Sequence, residues 1–367
     1  MSRKVPYVDL AAQYAEEREA LLPIIDAVMA SGNYIGGEDV VAFEREAAAF
    51  IGVRHAVALN SGTDALIFGM LGLGIGPGDE VITPPNSFVA STAAIMHIGA
   101  KPVFVDVLPD QNIDPSGLEA AITPRTKAIM PVHLTGRCAA MTEIMAIARK
   151  HGLAVIEDAA QSIGSRYDGG ASGSFGDVGC FSAHPLKNLN AAGDAGFLTT
   201  NRDDVADAAR LLRNHGLIDR NTVMRPGYVS RLDTLQAAIL RFRLARQDGI
   251  IARRRANAAI YAATLNRDHV FFPPETNREF NTYHTFVVQV DRRDELQRFL
   301  AERGIGTAIH YPVPIHLQPG MAALNGKAGD FPITERQASR IVTLPVNQSL
   351  NGDDIHYVAE AVNSFFL

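Results

Sequence analysis

The chain has 367 residues, 47% of them hydrophobic, which is enough for about two domains of ~150 residues with real apolar cores. Its net charge of -6 with no basic run argues against nucleic acid or an anionic membrane as the main partner and leaves small molecules. Cys138 and Cys180 are too few for a disulfide framework and lack metal-ligand spacing. Both read as buried thiols, no metal is expected, and with no apolar leader or ~20-residue apolar run the chain reads as cytoplasmic.

In chain order, Ala58-Leu59-Asn60-Ser61-Gly62-Thr63-Asp64 runs from a strand through Ser-Gly-Thr into a helix. Free N–H groups at such a helix start, with hydroxyls beside them, make a phosphate cradle, although the same residues also serve as a plain turn and cap. Gly72, Gly74, Gly76 and Gly78 follow that helix and never reach a G-x-G-x-x-G register, so they read as a helix stop and a turn. From Ala56 to about Thr200, short apolar runs at 80–83, 102–105, 128–131, 153–156 and 196–199 alternate with helical patterns. That pattern implies an α/β fold whose largely parallel sheet is covered on both faces, with ligands at the C-terminal strand ends.

The run at 153–156 ends on Glu157-Asp158 and opens into small residues and Gln161. A carboxylate at the end of a central strand can pair with a heterocyclic nitrogen and keep it protonated, and Asp158 is preferred to Glu157. A helix N-cap is an equally good reading of Asp158 alone. Further on, Gly176-Asp177-Val178-Gly179-Cys180-Phe181-Ser182-Ala183-His184-Pro185-Leu186-Lys187-Asn188-Leu189 leads into the turn Gly193-Asp194-Ala195-Gly196. A lysine held between a strand end and a glycine turn can be desolvated, which lowers its pKa and makes the amine nucleophilic. For a lone lysine, a solvated loop position is the commoner case.

From Arg231 to about Leu265 the apolar spacing predicts one long helix connecting two domains. Beyond it, 284–290 reads as a strand, 295–303 as a helix, 305–311 as a second strand and 353–366 as a closing helix, a small α+β unit. The division expected is a large domain over 1–240 and a small C-terminal one over 241–367, with the N-terminal segment packing on the small one.

The three signals, in this order, resemble fold-type I pyridoxal 5'-phosphate enzymes, and among them the DegT/DnrJ/StrS family of sugar aminotransferases. The resemblance spans nearly the whole chain: Gly52-Val53-Arg54-His55-Ala56-Val57, Phe88-Val89-Ala90-Ser91, Val132-His133-Leu134, Arg213-Asn214-His215-Gly216, Ser230-Arg231-Leu232-Asp233 and His310-Tyr311-Pro312 all take part. It implies that Lys187 carries the cofactor as a Schiff base and that Asp158 pairs with the ring nitrogen. Gln161 would lie near the ring's phenolic oxygen and Phe88 on its face, with Gly62, Thr63 and Ser182 on the phosphate. Arg231, His310, Tyr311 and His316 would serve the substrates. Arg231 read by itself is nearly as well explained by an ion pair with Asp233.

The implied reaction moves an amino group from L-glutamate to a keto sugar, taken as nucleotide-linked, in amino-sugar biosynthesis. Pyridoxamine 5'-phosphate would be the intermediate form, and Lys187 the acid and base. A homodimer with shared active sites is also implied. Four positions depart from the family's usual residues and are expected around the sugar: Val229, Thr135, His184 and Asn190. Three alternatives compete. A sugar dehydratase of the same fold usually has histidine in place of Lys187, and a regulatory, non-enzymatic member would not need the lysine, carboxylate and phosphate cradle kept here. A nucleotide-binding module would need the glycine fingerprint that is missing.

Overall fold

The computed structural model of the chain describes residues 3–367. At its centre are seven strands: β1 (His55–Leu59), β2 (Glu80–Thr83), β3 (Lys101–Phe104), β4 (Thr126–Ile129), β5 (Ala154–Asp158), β6 (Val178–Ser182) and β7 (Gly196–Thr200). They lie in the order β1-β7-β6-β5-β4-β2-β3, with β7 antiparallel to both neighbours and every other pairing parallel. The expected mostly parallel α/β sheet is therefore the one formed.

Side-chain alternation explains why the sheet is covered twice. Helices α1 (Leu10–Ser31) and α2 (Glu38–Ile51) precede β1; Val57 and Leu59 of β1, Val178 and Cys180 of β6 and Leu198 of β7 enter one core with α3 (Gly62–Gly72). The intervening Ala56, Ala58, Phe181 and Phe197 enter the opposite core, closed by helices 38–51 and 234–244. On β5, Ile156 joins the α3 side and Val155 the other face. Asp158 keeps the parity of Ile156, so its carboxylate leaves the strand toward α3, whereas Glu157 turns away.

The connector expected as one helix over 231–265 is two, Thr234–Leu244 and Gln247–Thr264. The first buries Ala237, Leu240 and Leu244 in the large core and the second buries Ala258 and Tyr261 in a separate one. The chain breaks its helix at Ala245-Arg246 because it must serve both. The second core surrounds an antiparallel pair, β8 (Phe286–Gln289) and β9 (Ile341–Leu344), with helices 293–302 and 352–364.

The strand expected at 305–311 is not formed, and β9 takes its place beside β8. Segment 305–311 makes only isolated bridges, Val5 to Ile305 and Ala308 to Thr343. It lies against the N-terminal backbone so closely that a Cβ on Gly306 would stand 2.8 Å from the Tyr7 nitrogen. Val5 is fully buried in the second core, whereas helix 10–31 packs on helix 234–244. Cys138 and Cys180 are both free and buried. Among the described residues no helix is long and apolar enough to cross a membrane.

Candidate active site

A cavity of about 400 Å³ opens at the C-terminal ends of β5 and β6, beside the start of α3. Ligands of open α/β sheets bind at such strand ends. Gly62, Thr63, Phe88, Asp158, Gln161, Ser182, Lys187, His310 and Tyr311 all line it. Stretches of the chain up to about 250 residues apart thus meet on one surface.

Ser61 caps α3 by accepting a 3.1 Å hydrogen bond from Asp64 N, which leaves the N–H groups of Gly62 and Thr63 free at the helix start. Close packing sets this geometry. A Cβ on Gly62 would sit 2.8 Å from Ser182 Cβ, and one on Gly196 would sit 2.3 Å from the Ser61 carbonyl carbon. Two absent side chains therefore let β6 and β7 approach the helix start and bring the Ser182 hydroxyl beside it. The result is a concave set of amides and hydroxyls suited to a phosphate.

Lys187 stands in the loop that joins β6 to β7. Ala183 N donates to Ala195 O at 2.8 Å, Ala191 N to Ala183 O at 2.8 Å and Lys187 N to His184 O at 2.8 Å. Asn190 is buried and donates to Pro185 O at 2.8 Å, while exchanging hydrogen bonds of 3.0 and 3.1 Å with Gln13. Gln13 and Glu17 lie on helix 10–31, and Glu17 holds Arg243 at 2.7 Å, so the loop is moored to two helices of the protein body. The lysine itself is half-buried and lines the cavity. Burial pushes its pKa down to about 8, against the pull of the Asp158 carboxylate.

Asp158 is 5% exposed and has no ionic partner among the described residues. Its Oδ2 accepts from Ser91 Oγ at 2.7 Å and its Oδ1 from Ala160 N at 3.2 Å. No helix starts there, so the N-cap reading of Asp158 is not realised. A buried carboxylate supported by two neutral donors is an incomplete arrangement that a protonated ring nitrogen would complete. Glu157 is satisfied on the other face, accepting from Gly173 N, Phe175 N and Gly176 N at 2.7, 2.7 and 2.8 Å and from His133 Nε2 at 2.9 Å. Ala139 N donates to His133 Nδ1, which leaves the proton on Nε2 to point at Glu157.

Gln161 is oriented at both ends: Thr135 N donates to its Oε1 at 2.8 Å, and its Nε2 donates to the Tyr311 hydroxyl at 3.3 Å. Its second amide hydrogen is left for another acceptor. Phe88 is exposed and lies 5.7 Å from the Tyr311 ring, open to cover a flat group. His310, braced by Thr343 Oγ1 at 3.0 Å, has its pKa lowered to about 4, first by burial and then by Lys187. It is a neutral imidazole at neutral pH.

Two expected residues lie elsewhere. His316 is buried against Phe331 and bonds Glu335 at 3.1 Å, away from the cavity. Arg231 is half-buried outside the cavity, and its anticipated ion pair with Asp233 is absent. Of the four departures from the usual residues, His184 alone lines the cavity. Val229 is exposed, Thr135 acts through its backbone at a φ of 64°, and Asn190 faces Gln13. Tyr7, Ser91, Arg254, His284 and Asn347 also line the cavity and were not singled out from the sequence. Nothing local marks them, since each sits in an ordinary helix or loop pattern and is recruited only by folding.

A model of the DegT/DnrJ/EryC1/StrS aminotransferase family matches residues 15–363. The chain is 42% identical over 366 residues to a pleiotropic regulatory protein of Geobacillus stearothermophilus, covering 99% of this chain and 98% of that one. It is also 42% identical over 364 residues to the dTDP-3-amino-3,4,6-trideoxy-alpha-D-glucose transaminase of Streptomyces venezuelae, covering 99% and 96%. Among solved structures, DesV of S. venezuelae in complex with a ketimine intermediate superposes with a TM-score of 0.97 at 41% identity, covering 99% of each chain.

Proposed function

The chain belongs to the DegT/DnrJ/EryC1/StrS aminotransferase family, and on that premise we propose that it transfers an amino group from L-glutamate to a nucleotide-linked keto sugar in amino-sugar biosynthesis. The observation that carries this is the pairing, in one cavity, of a lysine amine depressed to about 8 with a buried carboxylate that has no ion pair among the described residues. The residues fit pyridoxal 5'-phosphate: amides and hydroxyls of Gly62, Thr63 and Ser182 for the phosphate, Asp158 for the ring nitrogen, Gln161 for the phenolic oxygen, Phe88 for the ring face and Lys187 for the covalent link.

When bound, the cofactor supplies an electron sink for the bond broken at the donor's α-carbon. The protein's own contributions follow from the geometry. Asp158 would hold a proton on the ring nitrogen; Ser91 holds Asp158, and Thr135 N and Tyr311 fix the amide of Gln161. Lys187 Nζ, half-deprotonated near pH 8, takes the proton from the donor's α-carbon and can return one from the same atom. Neutral His310 and the Tyr311 hydroxyl offer hydrogen bonds to a sugar without adding charge.

Amination at C3 is the reading supported by the name of the S. venezuelae relative. We assign the chain to a homodimer in the cytoplasm. Support for the dimer comes from the exposed run of Ile218, Val223, Met224, Tyr228 and Val229, an apolar surface on one segment that a second protomer would cover. Arg231 at the end of that segment would then serve the neighbouring site. The large unit 1–240 and the small unit 241–367 would each contribute one wall.

Borohydride reduction and peptide mapping test the cofactor assignment: a pyridoxyl group is expected on the Lys187 peptide, and its absence refutes the covalent role. Incubation with L-glutamate and a panel of 3-keto and 4-keto nucleotide sugars is expected to yield an amino sugar by mass spectrometry. Failure with every member removes the proposed reaction.

A further inference from the structure

Arg254 is 6% exposed, lies on helix 247–264 and lines the same cavity as Lys187. Of its five N–H donors three are engaged: Nε donates to Gln348 Oε1 at 3.1 Å, and Nη1 donates to Tyr283 O at 3.2 Å and His284 O at 3.1 Å. Among the described residues nothing accepts from Nη2, and no carboxylate lies within the 4.0 Å of an ion pair. A buried guanidinium held by neutral oxygens alone is costly unless an anion joins it. The contrast with Arg243, Arg137 and Arg255, each paired with a glutamate, is plain.

Two carboxylates, Asp158 and Asp194, line the same cavity, and neither pairs with Arg254. Tyr7 lines the cavity wall and feels the charge of Arg254; burial pushes its pKa up to about 12, so its hydroxyl keeps its proton, and among the described residues that hydroxyl has no acceptor. His284, whose carbonyl Arg254 holds, is kept neutral by burial together with Lys187, Arg254 and His310. The phosphate cradle is formed by other residues, Gly62, Thr63 and Ser182, so this cation is not needed for the phosphate.

We propose that the Nη2 edge of Arg254 and the hydroxyl of Tyr7 form a carboxylate-binding subsite of the cavity, which takes a carboxylate of the amino donor or of an acidic sugar. Its role in the reaction rests on the transamination proposed above, whereas its existence as an anion site does not. A guanidinium edge and a hydroxyl on the lining of one cavity supply the kinds of donor by which carboxylates are held. A purely structural arginine would require only the Nε and Nη1 bonds already made.

Calorimetric titration of the cofactor-loaded protein with 2-oxoglutarate, UDP-glucuronate and uncharged UDP-glucose tests the subsite in wild type, Arg254→Lys and Tyr7→Phe. Loss of one charge-assisted pairing is expected to weaken carboxylate binding about 10-fold or more in Arg254→Lys, and about 3-fold or more in Tyr7→Phe. Cofactor affinity and UDP-glucose binding are expected to stay at wild-type values. The carboxylate ligand whose affinity drops identifies the source. Should Arg254→Lys fail to fold, Tyr7→Phe decides alone. Carboxylate affinities within twofold of wild type in the folded variants overturn the subsite, as does a wild-type protein that binds neither carboxylate. If no keto sugar is aminated yet 2-oxoglutarate binding still depends on Arg254, the anion site stands and the transamination falls.

Discussion

Two adjacent carboxylates on β5 should respond in opposite ways to the same substitution. Glu157→Gln keeps the size of a fully buried side chain that accepts four N–H donors through two oxygens, from Phe175 and Gly176 on Oε1 and from His133 and Gly173 on Oε2. An amide retains one acceptor oxygen and turns its NH2 toward the two other donors. His133 cannot relieve the clash by changing tautomer, because its Nδ1 already accepts from Ala139 N. Two hydrogen bonds to a charged acceptor are lost, about 3–6 kcal/mol in all, which for a chain of this length lowers Tm by about 4–8 °C. Asp158→Asn instead removes a buried charge that has no ion pair among the described residues, so Tm should hold or rise, while kcat falls about 100-fold or more and cofactor affinity drops. Calorimetric melting of the two cofactor-free variants, followed by cofactor titration and steady-state rates, measures both halves. Equal destabilisation in the two variants, or an unchanged Tm in Glu157→Gln, would refute the division of roles between the strand's two faces.

The amine of Lys187 in the cofactor-free protein should acylate with a rate that rises with pH through a midpoint near 8, the fraction deprotonated growing above that value. Asp158 favours the ammonium form, so Asp158→Asn should move the midpoint lower still; a midpoint near that of a free lysine refutes the desolvated pocket. Gly196→Ala should drive a methyl into the backbone of Ser61 and Gly62, at 2.3 and 2.5 Å, costing about 1–3 kcal/mol and weakening phosphate anchoring. Urea unfolding and phosphate-dependent cofactor binding check this, and a variant matching wild type in both shows that the close approach of β7 to α3 is dispensable.

Much of this protein was legible from local chemistry. Alternating apolar runs gave the sheet because burial on both faces demands them, and Ser61-Gly62-Thr63, Asp158 and Lys187 stand in the line at the strand ends where ligands bind. Parity alone separates Asp158 from Glu157, since successive side chains on a strand leave by opposite faces. The missed strand β9 and the break at Ala245-Arg246 depend on a second core that unites Val5, Tyr261 and Val342, and no local window contains it. His316 looked like a site residue because it shares a loop with His310 and Tyr311, yet packing on Phe331 takes it away. Arg254 stands between Arg253 and Arg255 on its helix, with nothing local to set it apart. A sequence fixes which groups can donate, accept or ionise, and whether a given charge meets its counter-ion depends on distances between remote segments. Only the tertiary structure shows that Glu157 is fully satisfied and that, among the described residues, Asp158 has no ion pair and a buried guanidinium lining the cavity has one edge unused.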